Sequence, residues 1–322
     1  MRAIQISHTG GPDVLEYVEL DPPSAGDNEV VVKVHAIGVN YIDTYHREGA
    51  YPLPLPFTPG QEGAGEVVEV GPGISEWSVG DRVCWAMVGG SYAEYVAVPL
   101  EALNKVPDSI DFSQAAAAML QGLTAHYLCT NVYPVDQHTT AVVHAVAGGV
   151  GLLLTQMIRS RGGTVIGTTS SAEKAQRGVD AGAQHVIRYD KEPWAERVQE
   201  ITGGRGVDVV YDGVGKDTFE GSLSSLRPRG TLALYGAASG PVPPFDLQRL
   251  GALGSLIVTR PTLGHFMADH TERAWRTSEL FGAIESGQLN VSIAASFALS
   301  DAPEGHRAIQ SRDYSGKILL IP

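Results

Sequence analysis

Thr140-Ala141-Val142-Val143-His144-Ala145-Val146-Ala147-Gly148-Gly149-Val150-Gly151 is the stretch on which the reading of this chain turns. An apolar, strand-like run enters a glycine-rich turn, and Leu152 to Arg161 continues as helix. In that context a backbone can close on a pyrophosphate. Glycines let the phosphate approach the main chain, while the helix N-terminus offers free N–H groups and a positive dipole end. The spacing departs from a strict G-x-G-x-x-G, and a plain tight turn would use the same residues. What surrounds the turn decides between them.

Downstream, strands and helices alternate. Thr164–Thr168, His185–Ile187, Val207–Tyr211, Thr231–Tyr235 and Leu256–Thr259 read as strands. Ala172–Ala181, Pro193–Ile201 and Thr218–Leu226 read as the helices between them. Nearly continuous apolar strands separated by helices of about ten residues indicate a parallel sheet covered on both faces, with the doubly wound rhythm of dinucleotide domains. Beyond Pro261 this rhythm stops. Arg273–Ser286 and Ala302–Gln310 read as helices, and Lys317–Ile321 as a closing strand.

Upstream the texture differs. Val30–Val34, Gly65–Gly71 and Tyr92–Pro99 alternate apolar and polar residues between Gly and Pro, as in a compact β domain. Asp108–Leu128 reads as helix, its alanines 115 to 118 suited to close packing.

The 322 residues exceed one typical core, which sets the prior at two domains. A net charge of −13 disfavours phosphate backbones and anionic membranes as partners. No uncharged apolar run reaches bilayer length, and Met1–Ile6 reads as a strand, so a soluble, cytoplasmic protein is expected. Two cysteines, Cys84 and Cys129, are too few for a disulfide framework or a four-cysteine zinc cluster.

The second strand ends in hydroxyls, Thr168-Thr169-Ser170-Ser171, with Lys174 one helical turn later. An acidic residue there would favour NAD; hydroxyls and a cation suit a 2′-phosphate and favour NADPH. The plainer reading makes Ser170 or Ser171 a helix cap and Lys174 a surface lysine. The two are compatible, because a capped N-terminus is itself an anion site.

Several motifs in order give the chain a family likeness. They are Gly10-Gly11-Pro12-Asp13-Val14-Leu15, Gly38-Val39-Asn40-Tyr41-Ile42-Asp43-Thr44-Tyr45, Pro59-Gly60-Gln61-Glu62-Gly63-Ala64-Gly65, Gln121-Gly122-Leu123-Thr124-Ala125, the glycine turn, Val209-Val210-Tyr211-Asp212 and the ending Gly316-Lys317-Ile318-Leu319-Leu320-Ile321-Pro322. Over essentially its whole length the chain resembles the medium-chain dehydrogenase/reductase superfamily and, within it, the zeta-crystallin-like quinone oxidoreductases.

The resemblance implies an α/β fold: a doubly wound parallel Rossmann sheet (residues 123–262) inserted in a GroES-like β-rich domain built from both chain ends (1–122 and 263–322). It implies NADPH and substrate in the cleft between them, and a homodimer joined through an edge strand of the Rossmann sheet. It places Asn40 near the nicotinamide, Thr124 near the ribose and phosphates, and Gly148, Gly149 and Val150 on the pyrophosphate. Ser170, Lys174 and Tyr189 match positions at the adenosine end, Tyr235 packs near the nicotinamide, and Arg312 matches a further cofactor contact. A serine common after the Tyr-Asp pair is Gly213 here. Zinc members of the superfamily carry a histidine where this chain has Gln61, and their upstream cysteine ligand is missing from the neighbourhood of Asn40, Asp43 and Tyr45. His265 and His270, five apart, do not share a helix face. The branch without metal is the one implied.

Hydride transfer needs chiefly that donor and acceptor be positioned. Tyr45, Tyr51 and Asn40 are the polar groups expected to face the acceptor, either tyrosine donating to a developing oxyanion or simply walling the site. Three functions fit: an NADPH-dependent quinone reductase, an NADPH-dependent reductase of α,β-unsaturated carbonyls, and an NADPH-binding protein with a mainly non-catalytic role. A nucleic-acid partner is not expected, since no basic stretch accompanies the acidic total.

Overall fold

The computed structural model describes all of residues 1–322. The chain forms two compact units, one of Met1–Leu123, Asp269–Ser286 and Val291–Pro322, the other of Thr124–Ala268 and Gly287–Asn290.

The first unit begins with the strands β1 (Arg2–Gln5), β2 (Glu16–Glu19) and β3 (Glu29–Val39), followed by helix α1 (Tyr41–Glu48). Then come β4 (Glu62–Val70), β5 (Arg82–Ala86), β6 (Tyr95–Pro99), β7 (Asn104–Lys105) and α2 (Phe112–Tyr127), which runs on into a π-helical turn, Leu128–Val132. The second unit is β8 (Thr140–Val143), α3 (Gly149–Ser160), β9 (Thr164–Thr169), α4 (Ala172–Asp180), β10 (His185–Arg188), α5 (Trp194–Ile201), β11 (Val207–Asp212), α6 (Phe219–Ser225), β12 (Leu226–Leu234), α7 (Gln248–Ala252), β13 (Ile257–Thr259) and α8 (Leu263–Phe266). The chain then returns with α9 (His270–Glu285), β14 (Ile293–Ala298), α10 (Ala302–Ser311) and β15 (Lys317–Ile321).

The six strands of the second unit form a parallel sheet ordered β10-β9-β8-β11-β12-β13. The order reverses between β8 and β11, the switch point at which such sheets bind nucleotides. Burial on both faces explains the unalternating strands: all of Val207–Asp212 is buried, and Val142, Ile166, Val210 and Leu232 share one core with Leu223 and Phe219 of α6. In the first unit the seven-stranded sheet runs β14-β15-β3-β4-β5-β7, with β6 also paired to β3. Leu319 lies opposite Gly38, so the last strand of the chain closes the sheet begun near its start. Its alternating residues bury one face around Ile4, Val32, Ile37, Trp85, Tyr92 and Ile318.

Expectations shift at several element edges, as when the helix expected from Asp108 starts at Phe112 and the one expected from Arg273 at His270. The first helix of the parallel unit starts at Gly149, so the turn glycines form its first turn. The sixth strand starts at Ile257 and the strand expected from Tyr92 starts at Tyr95. The strand expected from Thr231 begins already at Leu226. No helix is long and apolar enough to cross a membrane.

Candidate active site

The glycine turn is built by its neighbours. His144 N donates to Tyr211 O of β11 at 3.1 Å, and Val146 N to Thr168 O of β9 at 3.1 Å, so the chain leaving β8 is held from both sides. Ala145 then takes a left-handed φ of 49°, and its carbonyl accepts from Gly148 N at 2.8 Å. That folds the strand end back under the start of α3. A Cβ at residue 151 would collide with the Ala145 carbonyl oxygen and approach the Val146 main chain to 2.9 Å, so only glycine fits. No side chain caps α3, and its first-turn N–H groups fit the phosphates of a dinucleotide.

At the neighbouring strand ends, Ser171 is the residue that caps α4, its Oγ accepting from Lys174 N at 3.3 Å; Ser170 stands just before it. Lys174 is partly buried, while Tyr189 is half exposed and tied to β9 by its N–H on Thr169 O at 3.0 Å. Ser170, Lys174 and Tyr189 thus gather where β9 and β10 end. Thr124 is buried near the end of α2. Tyr235 follows β12, partly buried, and its hydroxyl is pushed up by burial. Its ring fills the space a side chain at residue 213 would take: a Cβ there would stand 2.9 Å from the ring.

Beneath the turn lies a buried network that the sequence reading missed. Asp212 accepts from Val214 N at 2.8 Å, Gly215 N at 3.0 Å, Thr218 Oγ1 and, at 2.9 Å, Ser222 Oγ. With its proton on Asp212, Ser222 must accept from His144 Nε2 at 3.1 Å. Burial pushes the His144 pKa down and outweighs the pull of Asp212, which favours the neutral ring, whose Nδ1 then accepts from Thr168 Oγ1 at 2.8 Å.

The first unit holds Asn40, Tyr45, Tyr51 and Arg312. Asn40 heads α1, and its N–H donates to Asp43 Oδ2 at 2.9 Å. Tyr45 and Tyr51 pack edge to face with ring centroids 5.2 Å apart, Tyr45 half-buried and Tyr51 exposed. Arg312 is exposed at the end of α10, with a left-handed φ of 61°.

Around Asn40 sit charged groups whose meeting no single motif of the sequence announces. The side chains of Glu62 and Lys317 form a fully buried ion pair, and both bond the Asn40 amide. Burial pulls the Lys317 ammonium down to about 7, with Asp43 opposing, and pushes the Asp43 carboxyl up to about 6 against the hydrogen bonds from Asn40 and Tyr92. Behind Asp43 runs a relay of Tyr92, His306 and Arg47.

These residues do not fit zinc. Gln61 stands where the resemblance calls for a histidine ligand, no cysteine lies among residues 38–45, the Glu62 carboxylate is paired with Lys317, and no group of three or more His, Cys, Asp or Glu could hold a metal ion.

Comparison with known proteins agrees with this geometry. Residues 26–108 match the alcohol dehydrogenase GroES-like domain model, and residues 149–278 the zinc-binding dehydrogenase model. A quinone oxidoreductase of Pseudomonas aeruginosa is 46% identical over 100% of this chain and 99% of its own. A 2-haloacrylate reductase of a Burkholderia species is 42% identical over 99% and 98%. The crystal structure of Escherichia coli quinone oxidoreductase complexed with NADPH superposes with a TM-score of 0.98, at 42% identity and full coverage of both chains. Fold and site therefore define a nucleotide-dependent oxidoreductase. The chain belongs to the medium-chain dehydrogenase/reductase superfamily and, within it, to the NADPH:quinone oxidoreductases.

Proposed function

We infer that this protein is a zinc-independent quinone oxidoreductase that uses NADPH. The observation that carries the reading is the uncapped, glycine-lined start of α3 at the switch point of the parallel sheet, in a chain alike from end to end to quinone oxidoreductases. When bound, NADPH supplies the hydride. In this reading the α3 N-terminus and Gly148, Gly149 and Val150 bind the pyrophosphate, and Ser170, Lys174 and Tyr189 the adenosine with its 2′-phosphate. Thr124 and Arg312 add contacts to the ribose and phosphates, and Asn40 and Tyr235 orient the nicotinamide. Tyr45 and Tyr51 face the acceptor. A reduced quinone is stabilised by conjugation and takes its proton from water, so the site needs orientation more than a dedicated acid.

The relative named a 2-haloacrylate reductase supports a second reading, reduction of an α,β-unsaturated carbonyl compound. Conjugate hydride addition asks for the same pocket geometry. Mixing the protein with NADPH and a small quinone, or with an enone, and following nicotinamide absorbance separates the two. Turnover with the quinone is expected. Turnover with the enone alone establishes the second reading, and NADPH binding without turnover refutes both.

The reading includes a homodimer formed along β13. This strand ends the parallel sheet with Ile257 at 56% exposure, and Leu247, on the approach to α7, is 73% exposed. An apolar open edge of this kind favours pairing with a second copy. It also includes a cytoplasmic location, to which the two buried free thiols, Cys84 and Cys129, are suited.

A further inference from the structure

The Asn40 amide is almost fully committed. Nδ2 donates to Glu62 Oε1 at 2.8 Å and to Gly38 O at 3.3 Å, and Oδ1 accepts from Lys317 Nζ at 2.8 Å. A side-chain amide has two N–H donors and two acceptor lone pairs. Both donors meet oxygens and one lone pair meets an ammonium, so the flipped orientation would set donor against donor and acceptor against acceptor. One lone pair on Oδ1 is left.

The partners are as constrained as the amide. The other oxygen of Glu62 accepts from Leu120 N at 2.6 Å, at α2, and the first is ion-paired with Lys317. Glu62 and Lys317 are 0% and 1% exposed. Gly38 makes room for them: a Cβ there would run into the Glu62 carboxylate and stand 2.6 Å from Lys317 Cε.

We propose that Lys317 and Glu62 are positioning residues that lock the Asn40 amide in the one orientation that offers the nicotinamide only a hydrogen-bond acceptor. Its complement is the carboxamide N–H of the cofactor. The proposal rests on the reading that sets Asn40 beside the nicotinamide. Its consequence is selectivity: a 3-acetylpyridine dinucleotide phosphate, whose acetyl group has no N–H, leaves that lone pair unmet.

The test measures dissociation constants for NADP⁺ and its 3-acetylpyridine analogue by calorimetry, so that differences in redox potential do not enter. Wild type should bind NADP⁺ about 10- to 100-fold more tightly than the analogue, the weight of one well-placed hydrogen bond. A buried charge left alone would unfold the site, so Lys317→Met is combined with Glu62→Gln. The pair is then uncharged, Asn40 Oδ1 loses its donor, and the amide is free to turn. In this variant the preference should fall to within about threefold, while NADP⁺ affinity drops by less than the analogue gap because the phosphate anchors remain. Gly38→Ala, which displaces the pair without altering a charge, should do the same. A preference retained in both variants, with only a lower melting temperature, overturns the proposal. Asn40→Ala separates this failure from that of the underlying reading: if Asn40→Ala also leaves the preference intact, Asn40 is not beside the nicotinamide. If Asn40→Ala abolishes it and the other two do not, only the locking role falls.

Discussion

Acid should weaken the support of α1 through a single imidazole. His306 on α10 is fully buried, and Arg47 Nη1 lies 2.9 Å from its Nδ1. A guanidinium only donates, so Nδ1 is the bare nitrogen. Nε2 therefore carries the proton and donates to Tyr92 Oη at 3.1 Å, and Tyr92 donates in turn to Asp43 Oδ2 at 3.0 Å. Asp43 also receives Asn40 N, which ties the relay to the site. Burial, and then the Arg47 charge, pull His306 from its ordinary 6.5 down to about 3. Between those values the unfolded chain binds a proton that the native one refuses, so stability present above pH 6.5 is lost as pH falls toward 3. At about 1.4 kcal/mol per unit this reaches at most about 5 kcal/mol. Asp43 works the other way: raised from 3.8 to about 6, it binds its proton more readily in the native state and adds up to about 3 kcal/mol as pH falls from 6 to 3.8. Between pH 6 and 4 the two nearly cancel.

His306→Gln keeps a side chain able to bond Tyr92 but removes the titration. Urea unfolding of both proteins at half-unit steps from pH 7 to 4 gives their stability difference. The wild-type advantage should shrink by roughly 1.4 kcal/mol per unit below pH 6.5, leaving in the variant the acid stabilisation from Asp43. A difference that does not change with pH refutes the reasoning, as does a long-range ¹⁵N spectrum with the proton on Nδ1 or an imidazole titrating near 6.5.

Three further outcomes are expected. Lys174→Ala should raise the Michaelis constant for NADPH about tenfold or more and leave that for NADH nearly unchanged, since only the 2′-phosphate makes a charge-assisted bond; equal effects would remove Lys174 from the site. Gly151→Ala should weaken NADPH binding and lower stability by about 1–3 kcal/mol, because the methyl group meets main chain that cannot step aside; wild-type melting and affinity would contradict the turn geometry. Tyr51→Phe keeps the edge-on packing against Tyr45 and should retain most activity, whereas a ~100-fold loss would mark its hydroxyl as a donor to the developing oxyanion.

Much of the scaffold was legible beforehand. The period of the apolar residues between Thr140 and Thr259 distinguishes strands buried on both faces from helices buried on one, and the observed sheet follows it closely. The edges were harder to read. Leu226-Arg227-Pro228 extends β12 although a proline there argues against a strand, and the two-residue β7 is too short to show a period. Helix α1 hid within its motif because the residues it buries, Asp43, Thr44, His46 and Arg47, are polar and leave no apolar period to read. Within the site, Ser171 rather than Ser170 proved to be the cap, a distinction of one residue that composition cannot make.

By itself the sequence determined the class of fold, the glycine turn after the first parallel strand and the glutamine at the position of a zinc ligand. Each of these rests on neighbours along the chain or on the residue type at one position: a strand beside glycines beside a helix, a glutamine where a ligand would be. Only the tertiary structure decided what stands behind Asn40. Lys317 is the first residue of the last strand, Glu62 the first of the fourth and Gly38 the penultimate residue of the third; each lies in a recognisable motif, but no motif says that the three meet. They meet because β15 pairs with β3 and β3 with β4, bringing residues 255 positions apart into one buried ion pair. Burial turns ordinary side chains into a fixed charge with shifted proton affinities, and burial belongs to the folded chain.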